Sequence, residues 1–130
     1  MGLDQYAFVR NPKAKSKRGH EIYYWRKHNR LHGWMGSLWK EKGCPNPNKE
    51  LDGIAKEFSD FNCVELVLTL DDINALEKAI RNRKLPETHG FFFGSDSYGN
   101  EYLEKRDLKF IEIAKRFIKK GYEVFYDSWW

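Results

Sequence analysis

Apolar and polar positions change period several times along this chain, and each change marks an element. Residues 1–9 (MGLDQYAFV) alternate weakly, with Leu3, Ala7 and Val9 on one face and Tyr6 and Phe8 on the other, the period-two pattern of a strand. Residues 11–19 (NPKAKSKRG) break that pattern with turn chemistry at Asn11-Pro12 and Gly19, which reads as a basic loop. Spacings of three and four then take over. Tyr24, His28, Leu31, Met35 and Leu38 form the buried stripe of a long helix predicted over 21–39, with Glu21, Trp25, Asn29, His32 and Trp39 on the neighbouring face. Lys27, Arg30 and Lys40 would point to solvent. Gly33 and Gly36 each weaken a helix by about 1 kcal/mol relative to Ala, which marks a break or a close approach of backbone or ligand. Lys40 and Lys42 suit the negative end of that helix, and Gly43 and Pro45 stop it.

Residues 45–61 read as a polar connection in which Leu51, Ile54 and Phe58 can dock a helical turn or two. Residues 63–70 (CVELVLTL) are the clearest strand, with Val64, Leu66, Leu68 and Leu70 on one face, and their apolar character predicts a central place in the sheet. Asp71 is expected to cap a helix that buries Ile73, Leu76 and Ile80 and closes at Pro86. Phe91, Phe92 and Phe93 read as a short strand opening into a turn-rich loop over 94–100. A helix over 101–120 turns Leu108, Ile111, Ala114 and Ile118 inward and stops at Gly121, and 122–127 closes the chain as a strand. Strands and helices alternating without internal repeat or phosphate-binding fingerprint predict an α+β fold: a small mixed sheet of about four strands with helices packed on one side.

Length confines this pattern to a single domain over 1–130, large enough for one core. Aromatic residues reach 16%, an excess that supplies pockets or interfaces. The net charge of +4 hides an asymmetry: 10–30 carries eight Lys/Arg against Glu21 alone, +7, so the remainder is −3. That local positive field favours an anionic partner, whether a nucleotide-like small molecule, nucleic acid or an acidic protein. No run approaches the roughly 20 apolar residues of a membrane span or the shorter core of a signal peptide, so a cytoplasmic location and no membrane partner are expected. Cys44 and Cys63 then read as reduced thiols rather than a disulfide.

The predicted helix over 21–39 places the Trp25 indole, the Asn29 amide and the His32 imidazole on one face, where stacking, hydrogen bonding and acid–base chemistry can converge. Glu21 lies nearby, and Arg26 adds a guanidinium fork. The plainer reading puts Trp25 and His32 in the core and Arg26 in water. His28 and His32 have a spacing that can ligate metal, but no third ligand stands at a diagnostic distance, so no metal site is expected. After Phe93, Gly94 and Ser95 can present amides and a hydroxyl to an anion, although no P-loop Lys follows. No serine elbow or cysteine signature is present, so no catalytic residue and no cofactor are predicted; an enzyme using His32 with Asp4 or Glu21 remains an alternative.

Met1-Gly2-Leu3-Asp4 with Tyr6, then Glu21, Tyr24-Trp25-Arg26-Lys27, Asn29, His32 and Trp34, then Leu85-Pro86, Gly90-Phe91-Phe92-Phe93-Gly94-Ser95 and Tyr102, together resemble a family of small uncharacterised bacteriophage proteins. Some of these carry a kinase name, yet no kinase phosphate loop stands in this sequence. The chain departs from the family pattern at His28, where a small residue is expected, and in the basic loop. The resemblance implies a phage protein acting in an infected bacterial cell. By analogy it implies sequestration of a nucleotide-type host immune signal, without catalysis, in a pocket of Tyr6, Glu21, Trp25, Arg26, Asn29, His32, Ser95 and Tyr102. A nucleic-acid-binding or host-protein-inhibiting role is the alternative. Trp34, Trp39, Trp129 and Trp130 are candidates for a homodimer face.

Overall fold

In chain order the elements are β1 (Asp4–Arg10), β2 (His20–Arg26), α1 (Asn29–Glu41), β3 (Leu66–Leu68), α2 (Leu70–Arg81), α3 (Glu101–Lys119) and β4 (Glu123–Trp129). The computed structural model describes residues 3–15, 19–43, 61, 64–85 and 101–129, without the side chains of 101–103. β1 lies between β2 and β4, and β3 adds to the far side of β4, so the sheet order is β2-β1-β4-β3. The α+β class stands, with helices on one side of a four-stranded sheet. The pairing is antiparallel throughout where a mixed sheet was expected. Its cause is local: the basic loop returns β2 as a hairpin beside β1, and β4 enters between β1 and β3 running against both.

Alternation in β1 decides the layering. Gln5, Ala7 and Val9 are buried and face the helices, while Asp4, Tyr6, Phe8 and Arg10 lie on the other, open face. Ala7, Val9, Leu66, Leu68, Val124 and Tyr126 from the sheet enclose one core with Leu31, Met35 and Trp39 of α1, Ile73, Leu76 and Ile80 of α2, and Phe110, Ile111 and Ala114 of α3. Each fully buried Leu or Ile in that layer contributes on the order of 1.5–3 kcal/mol.

The predicted helix over 21–39 is corrected to a strand followed by a shorter helix. Ile22, Tyr23, Tyr24 and Trp25 are β-branched or aromatic, and pairing with β1 outweighs the three-and-four spacing that runs through them. Lys27 turns the chain at φ 56°, a left-handed conformation no helix interior holds, and α1 starts only at Asn29. β3 is likewise corrected from a central strand to an edge. It is three residues long, Val67 is exposed, and the Lys42 ammonium covers this edge by donating to the Val67 carbonyl at 2.7 Å. Thr69, not Asp71, caps α2: its hydroxyl accepts from the Asp72 amide, and the Asp72 carboxylate accepts from the Thr69 amide. Gly121 ends α3 at φ 89°, donating to the Ile118 carbonyl. The expected docking turns of Leu51, Ile54 and Phe58, the strand of Phe91 to Phe93, both cysteines and Trp130 lie outside the described residues.

Candidate functional site

The sheet divides the residues predicted to share a pocket. Trp25 is 1% exposed and, with Asn29 and His32, lies on the helix side. Tyr6, Glu21 and Arg26 belong to the open face, since Tyr6 pairs with Tyr24, Phe8 with Glu21 and Asp4 with Arg26 across the β1–β2 ladder. Ser95 and the Tyr102 side chain lie outside the described residues. The predicted stripe of Trp25, Asn29 and His32 therefore spans a strand and a helix, and all three side chains are buried in the interior.

A chain of polar groups runs through that interior. The His28 amide donates to Gln5 Oε1 at 2.8 Å, which orients the Gln5 amide so that Nε2 donates to the His28 carbonyl and to the Tyr126 oxygen, each at 3.1 Å. The Tyr126 hydroxyl also hydrogen-bonds His32 Nδ1 at 2.7 Å. His32 is held neutral there. Burial alone pulls its pKa down to about 3, because an imidazolium there would lose its hydration. Burial likewise pushes the Tyr126 phenol far above its ordinary range. His32 stacks on Phe61 at 5.2 Å, which fixes the ring plane.

A second cluster joins β2, the β2–α1 junction and α3. Asp107 accepts from Trp25 Nε1 at 3.1 Å and from His28 Nε2 at 2.7 Å, so both carboxylate oxygens are engaged. Both His28 and Asp107 are buried, and the His28–Asp107 pair ties the start of α1 to α3. Asp107 was not anticipated, although its place one turn ahead of Phe110 and Ile111 put a carboxylate on the inward stripe of α3. Trp39 and Trp34 also pack in or against the core, which leaves Trp129 as the exposed one of the described candidates for a dimer face.

A cavity of about 500 Å³ opens at the opposite end of the sheet, between the basic loop and the end of α3. Val9, Ile22 and Phe117 give it apolar walls, Tyr122 an aromatic rim, and Ala14, Asn11 and His20 the loop side. An Asx turn shapes that loop: Asn11 Oδ1 accepts from the Lys13 amide at 3.0 Å, and the Ala14 amide donates to the Asn11 carbonyl at 3.1 Å. Gly19 brings the loop back against the open face, where a Cβ would meet Phe125 Cζ at 2.6 Å and Phe8 Cβ at 3.0 Å. Tyr122 is set edge-on to Phe117 at 5.6 Å, its amide donating to the Phe117 carbonyl. Exposed Lys13 and Lys15 on the loop and Lys119 and Lys120 at the end of α3 flank the walls in sequence. None of the predicted site residues that the structure describes lines this cavity; the signal that pointed to it was the basic loop.

Among the described residues, no group of three or more metal-ligating side chains occurs, and no helix is long and apolar enough to cross a membrane. No family model, curated protein or solved structure matches the chain.

Proposed function

We propose that this chain is a non-catalytic binding protein for a small anionic molecule with a planar or apolar portion, a nucleotide-type ligand, held in the cavity beside the basic loop. One observation carries the reading: an apolar cavity within the 300–1,000 Å³ range of small-molecule sites lies against the most basic stretch of the chain. The ring of the ligand would pack on Tyr122 and Phe117, and Lys13, Lys15, Lys119 and Lys120 would offset its phosphates. Among the described residues, the lining contains one imidazole, His20, and no carboxylate, which suits an anionic ligand. With the resemblance to bacteriophage proteins, the role this supports is sequestration of a nucleotide-type host signal in an infected bacterial cell.

Titration with ADP, followed by NMR shifts of Ala14, Ile22 and Tyr122, tests the reading. Binding should weaken by about tenfold or more in a Lys13→Glu, Lys15→Glu variant and in Tyr122→Ala. Unshifted pocket signals with ADP, ATP and cyclic dinucleotides at millimolar concentration would sink it. Tight binding of single-stranded DNA that collapses with salt would favour the nucleic-acid alternative instead.

A further inference from the structure

The open face of the sheet has a composition unlike the cavity. Tyr24, Tyr6 and Phe8 form a row of rings, with centroids 5.3 Å apart for Tyr6–Tyr24 and 5.8 Å for Tyr6–Phe8, and Phe8 continues to Phe125 at 5.4 Å. Tyr24, Val67 and Trp129, three of the five large apolar side chains exposed among the described residues, project from this face. Around the rings stand carboxylates. Asp4, Glu21 and Asp127 surround Tyr6 closely enough that, after burial itself, they are what raises its phenol pKa. Among the described residues, the basic stretch contributes only Arg26 to this part of the face.

The molecule already displays what such a surface holds. At the upper end of the same face the Arg10 guanidinium lies 4.3 Å from the centre of the Phe125 ring while donating to Glu123 and Glu65. A planar, weakly hydrated cation is stabilised there by a ring beneath it and carboxylates at its edge. Tyr6 and Tyr24, with Asp4, Glu21 and Asp127, repeat that combination on the same face, two residues before Phe8 in β1. Phosphate is disfavoured at the same place by three like charges.

We propose that the open face docks an arginine-bearing segment of a partner protein, its guanidinium on the Tyr6–Tyr24 rings with the neighbouring carboxylates accepting its N–H groups. Charge complementarity selects arginine, and the ring row together with Val67 and Trp129 offers the apolar ground for the flanking residues. The surface is separate from the cavity and does not depend on what the cavity binds.

The test uses a Gly-Arg repeat peptide, the same peptide with lysine, and the same peptide with glutamine, titrated against the full chain by NMR. The arginine peptide should shift Tyr6, Tyr24 and Trp129, bind more tightly than the lysine peptide, and weaken as salt rises; the glutamine peptide should not bind. Tyr6→Ala and the pair Glu21→Gln, Asp127→Asn should each lose about tenfold in affinity, while Tyr122→Ala at the cavity should lose none. Circular dichroism keeps misfolded variants out of the comparison, and Asn at 127 retains the oxygen that accepts the Ser128 amide. Equal binding of the glutamine peptide, unchanged affinity in the charge variants, or self-association of the chain through this face would overturn the proposal.

Discussion

Tyr126 and Tyr6 lie on paired strands one register step apart, and the sheet sends them to opposite sides. On the helix side Tyr126 has no exposure, and its hydroxyl is fixed by Gln5 and His32. On the open side Tyr6 is half-buried, its ring stacked on Phe8 and tilted against Tyr24 in a ring of carboxylates. The contrast separates two uses of polar aromatic residues. A buried hydroxyl must find partners and so specifies one arrangement of the core. A ring left at the surface keeps a face for something else.

Substitutions on the two sides can break or sharpen that contrast. The largest loss is expected for Trp25→Ala, which removes a fully buried indole and the donor to Asp107, at about 3–5 kcal/mol in chemical denaturation. Tyr126→Phe should cost about 1–3 kcal/mol because Gln5 and His32 each lose a partner. Tyr6→Phe should stay within about 0.5 kcal/mol, and equal losses for the two tyrosines would erase the distinction.

Acid should act through the helix side. The native His32 pKa is near 3 and that of an unfolded histidine near 6.5, so between these values the unfolded chain binds a proton the native one refuses. Stability present above pH 6.5 is therefore lost as pH falls, with a slope of up to about 1.4 kcal/mol per pH unit from this one group. A pH series of denaturation midpoints, with His32→Gln flattening that slope, checks the sign. The smallest effect is expected at the open face: Glu21→Gln should move stability by less than about 0.5 kcal/mol, and a larger loss would mean that this carboxylate serves the fold.

Much of this was readable in advance. The α+β class, the α2 face of Ile73, Leu76 and Ile80, the inward Ile111 and Ala114 of α3 and its stop at Gly121 follow from period and turn chemistry, which local sequence carries. The candidate pocket did not follow, because residues 20–26 satisfy a helical spacing and a strand alternation at once. Only pairing with β1 decides between them, and that pairing is not local. The same choice moved Tyr24 from the predicted core to 38% exposure and left Trp25 buried on the other side of the sheet from Tyr6. Asp107 was legible only as an anomaly on an apolar stripe, since its partners His28 and Trp25 are about 80 residues away in the chain.

From His28 through Gln5 to Tyr126 the hydrogen bonds run one way only, because the His28 amide can never accept and so turns the Gln5 amide nitrogen toward Tyr126. Gln5→Glu keeps the shape but removes the hydrogens that Nε2 donates to the His28 carbonyl and the Tyr126 oxygen. An exchange of one amide for one carboxylate on β1 would be felt at His32, which shares the Tyr126 hydroxyl, and would be visible in its imidazole nitrogen resonances.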